Sequence, residues 1–268
     1  MGSSIDFYRT KIDKEVFAGL RKRSDLRGLV QALSLLVIFI FTNLICLYFF
    51  LRSAWILMAC SMVVHSLFSN FLGMEASVHE LSHRTPFRTR WLNEVFYYLF
   101  ACITWNNPIH FRESHKLHHQ FTLFRGFDRE VVIEPAPIGM LDYLSWMTVD
   151  WKKIRMIMGA NIAFALGRDR PDVFSWDPLL SKGDPKRKKM FFWARFQFLS
   201  HLALAAIFIY LDVWVLIYTV SLSYFFFTFL GNACGAMQHI GLSSNVPDFR
   251  ICCHTMKFGP VMAFSTGT

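Results

Sequence analysis

The chain has 268 residues, of which 54% are hydrophobic and 29 are phenylalanine, and its mean hydropathy is +0.34. Ordinary soluble domains are roughly 45–50% apolar even when glycine is counted, so this composition excludes that class and indicates a membrane protein. A net charge of +9 would also suit nucleic-acid binding, but no motif of that kind occurs in the sequence, and nucleic acid is not an expected partner.

Four apolar stretches each reach the roughly 20 residues needed to cross a bilayer as a helix. They are residues 29–51, 53–74, 190–211 and 213–237. Only Arg195 is charged among them, and the connections around Arg52 and Asp212 are short enough to be tight turns. The four stretches therefore predict two transmembrane hairpins.

The distribution of basic residues predicts the orientation of these hairpins. All of the 28 lysine and arginine residues except Arg52 fall on one side of the predicted membrane, and short cytosolic loops are the ones that retain such residues. We predict an all-α membrane protein with four transmembrane helices, a cytosolic N-terminal segment (1–28) and a membrane domain (29–268). Two apolar stretches too short to span, 91–105 and 156–166, are expected to be half-buried or interfacial segments packed under a helical cap on the cytosolic side.

Five of the ten histidines form two clusters in that cap. HELSH contains His79 and His83, and HKLHH contains His115, His118 and His119. Spacings of three and four residues place side chains on one face of a helix, which holds for the first cluster if the second span continues into it. Imidazole is a preferred ligand of iron, copper, nickel and zinc, so the sequence predicts a polynuclear metal site beside the membrane.

The other histidines are weaker candidates when taken singly. His239, in MQHIGL, follows the fourth stretch on the same side and is a further candidate ligand. His65 and His201 lie within apolar stretches, where hydrogen-bonded packing is the simpler role. His110 is expected to orient a ligand or a loop, and His254 is only a weak candidate.

These motifs resemble those of a known group of enzymes. HxxxH after the second stretch, FRxSHxxHH in the cap and QHxG after the fourth stretch are similar to the integral-membrane fatty acid desaturase and hydroxylase superfamily, over roughly residues 30–260. The resemblance implies a non-haem di-iron centre ligated mainly by histidine. The ligands it implies are His79, His83, His115, His118, His119 and His239. It also implies that Glu80 and Arg112, which lie inside the motifs, bond to ligands or to a loop.

The resemblance further implies dioxygen-dependent desaturation or hydroxylation of a fatty acyl or similar apolar chain. The expected partners are a lipid substrate, dioxygen and a separate electron-donor protein, because the sequence has no flavin or dinucleotide fingerprint and no haem-binding tail. The expected location is a membrane with the histidine clusters facing the cytosol, and the endoplasmic reticulum if the source is eukaryotic.

The sequence departs from the superfamily at one point. Members have a further HxxHH motif after QHxG, whereas this sequence ends in FGPVMAFSTGT without it. We therefore expect a truncated form of an enzyme sequence. A catalytically inactive membrane protein and an oxygenase of a specialised apolar metabolite stay open as alternatives. A zinc hydrolase would need only three protein ligands, and a transporter would place its ligands near the bilayer midplane, so both are less expected.

Overall fold

A computed structural model describes residues 5–73, 76–128, 130, 139–169 and 179–257. Regular structure in these ranges is helical, which confirms the all-α prediction for them, and one isolated bridge joins Val149 to Phe226. The helices are α1 (Lys14–Leu20), α2 (Asp25–Leu51), α3 (Trp55–Asn70), α4 (Ser77–Ser82), α5 (Arg90–Ile103), α6 (Pro108–Phe121), α7 (Met140–Met147), α8 (Trp151–Ala165), α9 (Pro185–Tyr210), α10 (Val215–Ile217), a π-helical turn (Tyr218–Leu222), a 3₁₀ turn (Ser223–Phe225), α11 (Phe229–Met237) and α12 (Phe249–Cys252).

Two of the described helices, α2 and α9, are long and apolar enough to cross a bilayer by length and composition. At 1.5 Å per residue each is about 40 Å long, which exceeds the hydrocarbon thickness. α2 begins at the cap residue Ser24, and α9 begins at Pro185 after the cap residue Asp184, whose carboxylate accepts from the backbone N–H of Lys186 at 2.8 Å. These helices match the first and third predicted spans, and the four-span arrangement of two hairpins stays a prediction.

The second apolar stretch is helical over only part of its length. α3 ends at Asn70, and Ser77 donates to the carbonyl oxygen of Phe71 from its backbone N–H at 3.1 Å and from its hydroxyl at 2.9 Å. These bonds satisfy a carbonyl that the end of the helix leaves without a partner. His79 consequently belongs to the separate short helix α4, and a single helix running from the second stretch into the first histidine cluster does not form.

The fourth apolar stretch is interrupted near its middle. Residues 215–237, which we call the interrupted segment, form α10, the π-helical turn, the 3₁₀ turn and α11 in succession. Phe226 is extended and Phe227 is left-handed, with a φ of 50°. The Phe227 N–H donates to the Thr148 carbonyl, and the Asn70 side chain donates to the Phe226 carbonyl at 3.1 Å. Bonds to distant parts of the chain therefore replace those of a continuous helix.

Packing between helices fixes the relation of α4 to α6. α2 packs along α3, α8 packs along α9, and α6 contacts α4, α5 and α9. The buried Tyr97 of α5 donates its hydroxyl to the Pro108 carbonyl at the start of α6, at 2.7 Å. A buried apolar cluster joins these helices to α2, and it includes Ala32, Leu35, Val78, Leu81, Phe96, Phe100 and Phe111. The two helices that carry the histidine clusters are thus held side by side.

Gly73 lies where the chain leaves α3 and passes the buried ring of Tyr224. A Cβ atom built at Gly73 would lie 2.2 Å from Tyr224 Cε2, so an alanine there must displace a ring that is 1% exposed. We expect Gly73→Ala to cost about 1–3 kcal/mol of stability, which is typical of overpacking. Thermal unfolding in detergent would measure it. Gly235→Ala is the control, since no atom lies within 4 Å of its added Cβ; an equal melting temperature for the two variants would contradict the prediction.

Candidate metal centre

α4 and α6 present the two histidine clusters to each other. His79 lies within α4, and His83 is the residue that ends it. α6 begins at Pro108, and its cap residue Asn107 accepts from the backbone N–H groups of Ile109 and His110, both at 3.2 Å. Helix formation from this point places the histidines of HKLHH three and four residues apart on one face, as predicted.

Four histidine side chains converge between these helices. His115 Nε2 lies 3.0 Å from His83 Nε2 and 3.0 Å from His119 Nε2. When a ring nitrogen of His79 is included, the four ligand atoms, one from each histidine, all lie within 4.8 Å of one another. We call this group the four-histidine cluster.

The spacing of these nitrogens suits a shared metal ion. Two imidazole nitrogens bound to one ion at about 2.1 Å and at right angles to each other would lie about 3.0 Å apart. That is the distance from His115 Nε2 to the Nε2 atom of His83 and to that of His119. Nitrogen donors crowded to this distance, with His115 buried and His119 at the exposed edge of the group, fit a transition-metal ion.

His118 and His239 form a second group beside the first. Their ring centroids are 5.2 Å apart, and the His118 ring lies 5.8 Å from that of His115 and 5.5 Å from that of His119. His239 Nδ1 donates to the Cys252 carbonyl at 3.0 Å, which leaves its Nε2 as the lone-pair nitrogen. His118 and His239, which we call the histidine pair, can therefore contribute to a second metal position.

Two carboxylates that sequence reasoning missed contact the histidine ligands. Glu130 Oε2 lies 2.8 Å from His115 Nδ1, and Asp128 Oδ2 lies 2.9 Å from His118 Nδ1. A carboxylate at Nδ1 orients the ring and, when ionised, leaves the Nε2 lone pair for a metal. The only sequence signal is the acidic FDRE stretch after HKLHH, and the turn that brings it back depends on Leu123, whose φ is 60°.

A comparison with protein-family models shows the family of the chain. The model described as Fatty acid desaturase matches residues 53–267. The chain belongs to the fatty acid desaturase family. No curated protein and no solved structure matches it significantly. The resemblance drawn from the histidine motifs is thereby confirmed, and this family is known for the use of two iron ions.

Burial sets the protonation of the histidines in this desaturase centre. It lowers the pKa of His115 to about 2 and that of His119 to about 3, and neighbouring imidazoles add to the effect. Burial alone would also lower the pKa of His118, but the hydrogen bond and charge of Asp128 raise it. Desolvation raises the pKa of Glu130 to about 7. At neutral pH His115 and His119 are uncharged, which is the form that binds metals.

Arg112 joins the helices that carry the two clusters. Its Nε donates to the Ser82 carbonyl at the end of α4 at 3.2 Å, and its Nη1 bonds to Glu94 Oε2 at 2.9 Å. The guanidinium carbon also lies 4.1 Å from the centroid of the Tyr97 ring. Glu80, the other motif residue outside the predicted ligand set, has a carboxylate oxygen 3.9 Å from His79 Nε2.

The remaining histidines lie outside the two groups. His65 and His201 are buried and bonded to groups of the interrupted segment, in agreement with the packing role expected of them. The His110 ring lies tilted against that of Phe164 with ring centroids 5.2 Å apart, and His254 Nε2 contacts the Ile240 carbonyl at 3.1 Å.

A cavity of about 440 Å³ opens beside both histidine groups. His79, His115, His118 and His239 are among its lining residues, and the rest of the wall combines aromatic and aliphatic side chains with polar ones such as Asn106, Asn232 and Gln238. The apolar part includes Trp105, Phe111, Trp146, Met156, Ile157 and Phe164. Its volume is within the range of about 300–1,000 Å³ that is typical of small-molecule sites.

Proposed function

We propose that this membrane protein is a non-haem di-iron oxidoreductase of lipid metabolism, which desaturates or hydroxylates a fatty acyl or similar apolar chain with dioxygen. The observation that carries the proposal is the convergence of the Nε2 atoms of His83, His115 and His119 next to the histidine pair, with His115 and both members of the pair lining a cavity that has many aromatic and aliphatic side chains. Membership of the fatty acid desaturase family supports the same reaction class.

The proposal assigns roles to the chain's own residues. The four-histidine cluster would hold one ion, and His118 and His239 would contribute to the second. Bound iron would supply the dioxygen activation needed to remove hydrogen from an unactivated C–H bond. Glu130 and Asp128 orient the rings of His115 and His118 through their Nδ1 atoms and keep the Nε2 atoms directed away from the carboxylates.

The cavity supports an apolar substrate. Asn107 and Asn161 line it, but their side-chain amides donate to the backbone carbonyls of Met190 and Trp105, at 2.9 and 2.6 Å. These bonds tie the amide nitrogens into the wall, whereas Asn161 Oδ1 is buried without a hydrogen-bond partner among the described residues. Aromatic and aliphatic side chains bound much of the remaining space beside the histidines. Such a wall excludes water from the reacting carbon and orients a flexible chain by contact.

The proposal also places the chain in its surroundings. α2 and α9 would anchor it in the bilayer, with the N-terminal segment and the histidine groups on the cytosolic side, in the endoplasmic reticulum if the source is eukaryotic. A separate protein would donate the electrons. The basic residues outside the apolar stretches favour this orientation, because cytosolic loops retain lysine and arginine.

Iron content and product analysis test the proposed function. We expect the chain, purified in detergent and loaded anaerobically with ferrous iron, to hold about two iron ions, because the four-histidine cluster offers uncharged donors and the histidine pair adds two further ring nitrogens that can bind a metal in their neutral form. With a reductant, dioxygen and acyl lipids, mass spectrometry should detect products that lack two hydrogens or carry one more oxygen. A chelator should abolish turnover, and ferrous iron but not zinc should restore it.

Other outcomes identify the alternatives. A folded chain that binds no iron would contradict the proposal and favour a catalytically inactive membrane protein. Oxidation of a non-lipid apolar compound in place of acyl lipids would favour a specialised oxygenase on the same centre. Hydrolysis supported by zinc would contradict the redox assignment altogether.

A further inference from the structure

The interrupted segment contains backbone groups that regular helix bonding does not satisfy. Its π-helical turn, Tyr218–Leu222, passes directly into a 3₁₀ turn and then into the extended Phe226. Changes of helix type leave carbonyl groups that need other partners, and such partners are costly to lose in apolar surroundings. The partners here come from α3, α9 and the end of α5.

His65 of α3 holds the first part of the turn. It is fully buried, and its Nε2 lies 2.8 Å from the Thr219 carbonyl, which can only accept, so Nε2 carries the proton. Nδ1 lies 2.8 Å from the Thr42 hydroxyl of α2, which also bonds to the Ile38 carbonyl at 2.8 Å. The ring therefore joins α2 and α3 to the π-helical turn.

His201 of α9 holds the second part of the turn by the same logic. Its Nε2–H donates to the Cys102 carbonyl at 3.0 Å, and its Nδ1 accepts from the Ser221 hydroxyl at 2.8 Å. Trp105 stacks on the His201 ring, with centroids 4.1 Å apart, and donates its Nε1–H to the Ser221 carbonyl at 2.6 Å. Both the side chain and the carbonyl of Ser221 are thus bound.

The interruption of the segment determines the position of His239. A straight α-helix from Val215 to His239 would be about 36 Å long at 1.5 Å per residue. The chain instead turns at Phe226 and Phe227, and α11 then brings His239 to 5.2 Å from the ring of His118. The geometry of the histidine pair therefore depends on the conformation that His65 and His201 hold.

We propose that His65 and His201 are positioning residues for the second metal position, which hold the interrupted segment so that His239 faces His118. This inference rests on the proposed function, because it assumes that the histidine pair contributes to a metal position. A positioning role differs from general packing because it predicts a selective effect. Loss of either histidine should weaken binding of the second metal equivalent, while the four-histidine cluster still binds the first.

Cobalt(II) titration of the purified full chain tests this selectivity. His65→Phe keeps a ring in place but removes both hydrogen bonds, and His201→Phe keeps the stack on Trp105. We expect each to weaken binding of the second cobalt equivalent about tenfold or more, the size expected when a buried hydrogen bond is lost, and to leave the first unchanged. In His65→Phe the Thr219 carbonyl keeps one other donor, the Ser223 hydroxyl at 2.9 Å. His65→Gln retains a donor for the Thr219 carbonyl and should restore most of the affinity.

A matched control removes a buried polar side chain of α9 that does not touch the interrupted segment. Gln197 donates to the carbonyls of Ala101 and Asn106, both at 3.0 Å, so Gln197→Leu should leave the second equivalent unchanged. Equal weakening by Gln197→Leu, or full second-site affinity in His65→Phe, would overturn the proposal. If the phenylalanine variants do not fold, Ser221→Ala removes only the hydroxyl that bonds to His201, and an unchanged second equivalent there would count against it.

A second measurement needs no metal. In a His118→Cys/His239→Cys variant, a short bis-maleimide should join the two positions, as mapped by mass spectrometry. Adding His65→Phe should reduce the yield of this cross-link several-fold, and an undiminished yield would overturn the positioning role. If the wild-type chain binds fewer than two cobalt ions while the cross-link still depends on His65, the proposed function fails and the positioning of His239 stands.

Discussion

Replacing His115 with alanine is expected to eliminate metal binding at the four-histidine cluster and any turnover that depends on it. The His115 side chain is 2% exposed, and its Nε2 is 3.0 Å from the Nε2 atoms of both His83 and His119. Its removal takes away the nitrogen that lies close to both His83 and His119. It also leaves Glu130 without the ring that it contacts. Loss of a group that only orients a ligand costs about 10–100-fold in metal affinity, so loss of this central ligand should cost more.

Two measurements check the expectation for His115→Ala. Metal analysis should show loss of one equivalent, and product formation should fall below detection, while α6 stays helical because alanine favours that conformation. His254→Ala is the control, since it also removes an imidazole, but one that bonds to the Ile240 carbonyl and lies outside the four-histidine cluster. A His115→Ala chain that holds as much metal as the control would show that His115 is not a ligand.

The sequence predicted the ligand arrangement within each cluster because that arrangement is local. Residues three or four apart share a face once a helix forms, so the rings of His115 and His119 could be placed together without knowledge of the fold. The apolar stretches that became α2 and α9 are equally local, because their length and lack of charge are read directly from the chain. Both predictions needed only the periodicity of the helix.

Features that depend on distant partners could not be predicted in this way. The stretch 213–237 has the composition of a continuous span, and its interruption is stabilised by His65, Trp105 and His201, which lie far from it in sequence. Hydropathy measures the polarity of side chains. It gives no information about hydrogen bonds that side chains of other helices make to the backbone. The interaction of Glu130 with His115 was missed for a related reason, since it requires the chain to reverse after α6.

Replacing Asp128 with asparagine is expected to weaken the second metal position and to lower the stability of the metal-free chain. Asp128 Oδ2 accepts from His118 Nδ1 at 2.9 Å and from the Leu123 N–H at 2.8 Å, and Oδ1 accepts from the Glu130 N–H at 2.9 Å. An asparagine has one acceptor oxygen, so its amide nitrogen must face a buried donor on one side. Each unsatisfied donor costs about 1–3 kcal/mol, and disturbing the orientation of His118 should lower affinity for the second ion about 10–100-fold.

Comparison with a carboxylate elsewhere on α6 separates this effect from a change of charge. Glu113 pairs with the half-exposed Lys186 at 2.8 Å, and such surface pairs contribute about 0–1 kcal/mol, so Glu113→Gln should leave metal binding and melting nearly unchanged. Asp128→Asn should lower the melting temperature of the metal-free chain by about 2–4 °C for each kcal/mol lost. It should also release the second metal equivalent before the first during titration with a chelator. Simultaneous release of both equivalents would contradict the link between Asp128 and the histidine pair, because Asp128 contacts His118 and the four-histidine cluster would then have no reason to weaken.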